Sequence, residues 1–342
     1  MPKTSAMVGT RYKEVWRVAS ALLVLLGCAP ELPPAWRIDP EPRGPDGQPD
    51  PRGKLRLLAI QAEPPETGPG GVVDLSALVV IHPRQGRRQV LDGQEVGTPW
   101  PRDLRHLWLA CRPAEGLSAL EPCALGPPGS TLQEAELGEG ARAQLVVDAG
   151  ARPGTWLVTL VAATGEGPRA CLERARQERG IVADSHACVV GLKRIRVSAA
   201  GPRNRNPAVQ ALRLEGQDEV PLDAPGARYP AEGHDLFLTL ERAPDAVERA
   251  PGLDAPGELR DEQLAVSFFV TGGRLEAGRG DFGTPDCEPP CPQGLRSRVR
   301  WEPPTGQTAS LEAPDGVVFF FAVLRDDRGG LSYRWGRAWR EP

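Results

Sequence analysis

At 342 residues the chain is long enough for two ordinary domains, each burying a core of its own. A formal net charge of -4, from 41 basic and 45 acidic residues, excludes a strongly basic or acidic protein and speaks against a nucleic-acid partner. With 39 Gly and 37 Pro, proline stands at roughly double its usual ~5% share. Proline at that density breaks helices and confines strands to short runs, so short strands with many turns are what remains.

Lys3, Arg11, Lys13 and Arg17 make the first segment basic, and Val18 to Leu26 is an uncharged, mostly aliphatic run. A membrane-crossing helix needs roughly 20 apolar residues. This run is under half that length, which matches the apolar region of a signal peptide. It ends in Leu25-Leu26-Gly27-Cys28, which resembles the lipobox of bacterial lipoproteins. The resemblance implies a signal over residues 1–27, cleavage before Cys28, a diacylglycerol on the Cys28 thiol and an acylated new amine. At ~0.8 kcal/mol per buried CH₂, several acyl chains would hold the protein on a membrane. Ala29 follows where inner-membrane retention in some Gram-negative lipoproteins uses Asp, which points to the outer membrane. The competing explanation is a buried apolar helix with a chance cysteine.

From the lipidated Cys28 to residue 53 the chain is polar and carries Pro30, Pro33, Pro34, Pro40, Pro42, Pro45, Pro49 and Pro51. Such a segment buries little, and it reads as an extended tether.

The next elements are strands. Leu55 to Glu63 and Val72 to Val80 flank a Pro/Gly turn, and Thr155 to Val161 runs out to a return over Val189 to Val197. Between these last two lies the one convincing helical stretch, Leu172 to Arg179, stopped by Gly180. It is expected to decorate a hairpin rather than build a core. A polar, turn-forming cluster at 201–207 divides the body into 54–200 and 208–342. The second half echoes the first. Val209 to Glu215 and Asp235 to Leu240 are separated by a Pro/Gly stretch, and Leu236, Leu238 and Leu240 share one face. Val317 to Leu324 is a continuous apolar run, as in a strand covered on both faces, and Asp326-Asp327-Arg328-Gly329-Gly330 turns it back into Leu331 to Trp339.

Beyond Cys28 there are six cysteines in three sequence-local pairs: Cys111 with Cys123, Cys171 with Cys188, and Cys287 with Cys291. Six cysteines allow 15 connectivities, so the pairing stays open, but an even number fits disulfides in an exported chain. Metal binding is the rival. Zinc needs four ligands, and no histidine follows Cys287-Glu-Pro-Pro-Cys291.

Leu264 to Gly273 and Val323 to Gly330 are similar to strands of bacterial Ig-like and PKD-like modules, and Trp301-Glu302-Pro303-Pro304 resembles the tryptophan-proline segment between them. The match covers 208–342, with a fainter echo in 54–198. It implies an all-β fold of two tandem Ig-like β-sandwiches, with Phe268 or Phe269 as the aromatic strand residue. Modules of this kind serve as spacers, adhesive domains or carbohydrate-facing surfaces.

Catalytic and cofactor signatures are missing: no G-x-S-x-G elbow, no phosphate-binding G-x-x-x-x-G-K loop and no H-E-x-x-H pair. His82, His106, His186 and His234 are scattered among turns and strand ends. Asp315, Asp326 and Asp327 form a calcium-like acidic set, yet Asp-Asp-Arg-Gly-Gly is equally what a tight turn requires. Glu173, Arg174, Arg176, Glu178 and Arg179 read as a solvated helix face, with a protein-docking patch as the alternative. Tyr333, Trp335, Trp339 and Phe319 to Phe321 suit core packing first and a glycan-stacking surface second. The expectation is a non-enzymatic envelope lipoprotein, without cofactor or metal, whose partners are the membrane and an envelope protein or surface glycan. A carbohydrate-binding accessory or envelope enzyme is the alternative.

Overall fold

The structure, a computed structural model, describes residues 54–82, 103–112, 133–165, 167–177, 187–199, 203–216, 219–231, 236–251, 259–282, 294–306, 313 and 316–342. Within these the fold is all-β, with sheets stacked in pairs. Strands β1 (Lys54–Glu63), β3 (Val72–His82) and β6 (Arg142–Val146) form one sheet. Facing it is a second sheet in the order β2 (Glu66–Thr67), β8 (Cys188–Val197), β7 (Gly154–Ala163), β4 (Arg105–Arg112), β5 (Gln133–Glu139). Alternate residues of both sheets, among them Leu75, Trp108, Leu145, Val158, Leu160 and Ile195, fill the space between.

The second half repeats the plan. Strands β10 (Glu219–Pro221), β9 (Val209–Glu215), β12 (Leu236–Arg242), β18 (Arg296–Glu302) and β16 (Arg274–Leu275) make one sheet, in that order. The other runs β11 (Arg228–Tyr229), β20 (Leu331–Arg340), β19 (Val317–Arg325), β15 (Ala265–Val270), β17 (Arg279–Asp281). A hairpin of β13 (Arg249–Pro251) and β14 (Leu259–Asp261) lies between β12 and β15 in sequence. In both halves the chain switches sheets early, so that a two-residue strand pairs in parallel with the last strand, β2 with β8 and β11 with β20. That strand order is the one expected of immunoglobulin-type sandwiches.

The aromatic strand residue resolves by parity. Phe268 enters the core of the second sandwich beside Trp301 and Phe320, whereas Phe269 faces the other way. Trp301 stands edge-on to Tyr229 and Phe320, with ring centroids 5.2 and 4.8 Å away, and its indole N–H donates to the Gly272 carbonyl at 3.0 Å. Trp108 of β4, the strand that matches β15 in sheet order, donates its indole N–H to the Gly140 carbonyl at 2.8 Å. Each buried indole thus satisfies its donor inside an apolar core.

One sequence expectation needs correction. The helix, α1 (Pro168–Gln177), begins four residues before Leu172 and includes Cys171. Proline at its first position loses no hydrogen bond there. Cys171, Leu172 and Ala175 pack on Leu107, Leu109, Val161, Ala163 and Val190, so α1 builds a small core of its own on the outer face of β4, β7 and β8.

Candidate functional site

The run Val317 to Leu324 is covered on both faces. Val318, Phe320, Ala322 and Leu324 point into the second sandwich's core, while Val317, Phe319, Phe321 and Val323 meet Leu58, Ala59, Leu78 and Val80 of the first. A β-bulge in β1 makes this contact denser. The register against β3 slips between Leu57 and Ala59, so Leu58 and Ala59, though consecutive, both face the second sandwich. Beyond the bulge Ile60 and Ala62 return to the first core.

Around this apolar layer lies the densest set of buried ionisable groups among the described residues. Its centre is the β19–β20 turn, where the Asp326 Oδ1 accepts the Arg328 and Gly330 backbone N–H groups at 2.9 and 2.7 Å. Gly329 takes φ +99°, a conformation that favours glycine. The turn reading of this segment therefore holds: Asp326 caps its own loop, and Asp327 pairs with Arg260 at 3.1 Å. Asp315 lies outside the described residues.

Groups from elsewhere close on that turn. Asn204, 1% exposed, gives its side-chain N–H to Asp326 Oδ2 at 3.1 Å and its backbone N–H to Glu66 Oε2 at 3.1 Å. Ser198 donates its hydroxyl to the other Glu66 oxygen. The Arg328 guanidinium reaches Glu262 at 2.8 Å and Glu248 and Glu66 at 3.4 Å each. Asn206 donates to the Ala62 carbonyl and accepts the Leu331 N–H, at 2.6 and 2.7 Å. Arg325 donates to the Leu58 carbonyl at 3.2 Å. The connecting residues 203–207 are thus part of the fastening.

Burial dominates the electrostatics here. It pushes the Glu262 carboxyl up to about 7, aided by the negative charge of Asp326 and opposed by Arg328. Asp326 is raised for the same reason. Lys193 is brought down to about 8, and Arg325 to about 10, again chiefly by burial. Perturbed groups often mark catalysis. Here, however, Asn204 and Glu262 are 1% and 2% exposed and the carboxylates are engaged by Arg328 and Asn204, so the arrangement fastens rather than admits a substrate.

Among the described residues two surfaces are open. A groove between α1 and β4 is floored by Leu107, Leu109 and Leu172 and rimmed by Glu136, Arg169 and Arg176. Arg169 spans Glu136 and Glu139 of β5 at 2.6 and 3.2 Å, and Arg176 pairs with Glu173 at 2.9 Å, so the helix charges are largely tied to neighbours. Glu178 and Arg179 lie outside the described residues. The second surface is the outer face of β20, where Tyr333, Trp335, Arg337 and Trp339 follow at alternate positions. Tyr333 and Trp339 are half-buried against the apolar layer, and Trp335 is 41% exposed. Phe320 belongs to the core. Core and junction therefore absorb most of the predicted aromatics, and Trp335 is the one left outward.

Cys171 and Cys188 form the expected disulfide, tying α1 to the start of β8. Cys111 is fully buried on β4. Cys28, Cys123, Cys287 and Cys291 lie outside the described residues, as do His186 and His234. His82 closes β3 and His106 lies on β4, in opposite sheets, and burial lowers the His106 pKa. Among the described residues no group of three or more His, Cys, Asp or Glu is placed to hold a metal ion, and no helix is long and apolar enough to cross a membrane.

Sequence reading missed the junction. Its signals were present: Leu57-Leu58-Ala59 breaks the alternation of β1, and Asn204 and Asn206 are amide residues in a segment read only as a linker.

No family model matches the chain, and no curated protein does. Among solved structures it is similar to a mutant of Salmonella alpha-2-macroglobulin, at 13% identity and a TM-score of 0.22. That match covers 86% of this chain and 17% of the other, so the chain spans about a sixth of that structure's length.

Proposed function

We propose that this chain is an envelope lipoprotein, anchored through Cys28, whose folded part is a rigid non-enzymatic interaction module. The observation that carries the module is the junction. An apolar layer between Leu58, Ala59, Leu78, Val80 and the outer face of β19, ringed by the Arg328 and Asn204 contacts, resists hinge motion. Buried interfaces of this kind lock relative orientation where small polar ones leave halves free to move. A fixed head on an extended proline-rich tether suits holding a surface at a set distance from a bilayer.

The anchor is tested by fractionation and mass spectrometry. Cys28→Ala is expected to move the protein from the membrane to the soluble fraction, and the native N-terminal peptide is expected to start at an acylated Cys28. Continued membrane association of the variant would overturn the anchor. Crosslinking in the native membrane then tests the module, whose expected product is one defined envelope partner. A carbohydrate-facing role is the second reading, favoured by the outward Trp335.

A further inference from the structure

We propose that β17 is a self-association edge, where two copies of this chain pair their β17 strands antiparallel about Gly280 and set Arg279 of each against Asp281 of the other. Among the described residues β17 is the outer strand of its sheet, with β15 on one side and no strand on the other. Its backbone register fixes which groups face outward. Val266 stands opposite Gly280, and the Phe268 N–H donates to the Gly278 carbonyl at 2.9 Å. Bonded and non-bonded pairs alternate along an antiparallel ladder. Gly278 and Gly280 therefore turn their backbone groups toward β15, and Arg279 and Asp281 turn theirs to the open edge.

A second β17 laid against that edge makes Arg279 and the second copy's Asp281 a hydrogen-bonded pair, with Cα atoms about 5.5 Å apart. The same pair recurs across the two-fold axis, as an isologous interface requires. The side chains suit each other. Both residues are exposed. The charge near enough to act on Arg279 is the like charge of Arg325, whose pKa it helps to lower, and no carboxylate among the described residues pairs with it. Asp281 already makes a contact of its own, and a carboxylate with two oxygens takes a further donor. A Cβ on Gly280 would come within 2.5 Å of Ser297 Oγ, so no side chain stands at the axis. Short, charged edges usually prevent pairing with other chains. The charges of β17 instead exchange when the strand is reversed, which fits a copy of itself. Other edges lack this property. β5 carries Glu134, Glu136 and Glu139, which repel a copy; β6 carries Arg142 and no acid; β10 ends in Pro221, which has no N–H.

This inference rests on the interaction-module reading and names a second copy as one partner of the module. It makes no use of the anchor, because association is measured by sedimentation of the purified full chain in detergent, up to millimolar protein. A monomer–dimer equilibrium weakened by salt is expected. Arg279→Asp and Asp281→Arg are each expected to weaken the dimer at least tenfold, since each sets like charges opposite. The double reversal, Arg279→Asp with Asp281→Arg, is expected to restore it. Arg298→Asp, an equal charge change on β18, is expected to leave it unchanged. Unaltered circular dichroism and melting would show that the variants fold. A monomer at every concentration, a dimer indifferent to the single reversals, or a double reversal that stays monomeric would each overturn the proposal. None of these would touch the module reading, which a crosslinked envelope protein of another kind would still support.

Discussion

The Lys193 ammonium, carried on β8 of the first sandwich, donates to the Gly329 carbonyl at the tip of the second sandwich's β19–β20 turn, 2.6 Å away. Lys193 is only 9% exposed, and Asp326 at the base of the same turn offsets part of its desolvation. The junction therefore holds a cation and an acid, Glu262, each displaced from its ordinary range and each in a contact that bridges segments distant in sequence.

That pair gives stability a pH dependence of definite sign. Glu262 titrates near 4.5 when unfolded and about 7 when folded. Between those values the native state keeps a proton the unfolded state has lost, so stability falls as pH rises. Lys193 moves from 10.5 to about 8, so between 8 and 10.5 the unfolded state binds more protons and stability rises with pH. These two groups together place a minimum between pH 7 and 8. Urea denaturation across pH 5 to 10 is expected to trace that trough. Glu262→Gln should remove the acid limb and Lys193→Met the alkaline one; limbs that survive both substitutions would assign the dependence to other groups.

Arg328 holds three carboxylates at one point of this junction, two of them, Glu66 and Glu262, themselves buried. Removing it leaves those charges without their counter-ion, at a cost of about 3 kcal/mol or more. Arg328→Ala is expected to lower the urea midpoint accordingly at pH 8, and to recover part of the loss at pH 5, where Glu262 is protonated. A pH-independent loss would mean that packing, not charge, is what Arg328 supplies.

The apolar layer predicts cooperativity. Leu78, on β3, is buried against the outer face of β19. Wild-type protein is expected to melt in a single calorimetric transition. Leu78→Asp places an unpaired charge in that layer and should split the transition in two, each half retaining its β-sheet circular dichroism. A single transition of lower midpoint would instead mean that the halves do not fold without each other.

The sheets were readable because strand signals are local. The alternation of Leu236, Leu238 and Leu240, the turn at Asp326 to Gly330 and the return into Leu331 to Trp339 all reappear at nearly the expected bounds. The doubly covered run at Val317 was legible too, but its cover was not, because Leu58 and Leu78 lie over 200 residues away and are brought there by topology. Lys193 shows the same limit. In sequence it adjoins Arg194 at the parity of Ile195 and Val197, and the Gly329 carbonyl that receives its ammonium belongs to the second sandwich. The two-residue strands β2 and β11 are too short to carry a period at all.

Consecutive phenylalanines separate core from junction. Phe268 is 1% exposed among Trp301, Phe320 and Val266, whereas Phe269 is partly buried at the edge of the inter-sandwich layer. Phe268→Ala is expected to cost about 3–5 kcal/mol and Phe269→Ala markedly less. Equal losses, read by denaturant titration, would contradict the register of β15 against β19.

The Cys171–Cys188 disulfide closes a loop of sequence separation 17, and its contribution through the unfolded chain is about 3 kcal/mol. Its structural effect is local. Cys171 sits in α1 and Cys188 opens β8, so the bond holds the helix over Leu107, Leu109 and Val161 on the outer face of the sheet. Replacing both cysteines by serine should therefore lower overall stability while leaving the junction intact. Hydrogen exchange is expected to speed up in α1 and not in β19 or β20. Faster exchange in β19 would mean that the helix and the junction are coupled through β7 and β8, and that the rigidity of the module depends on an oxidising surrounding.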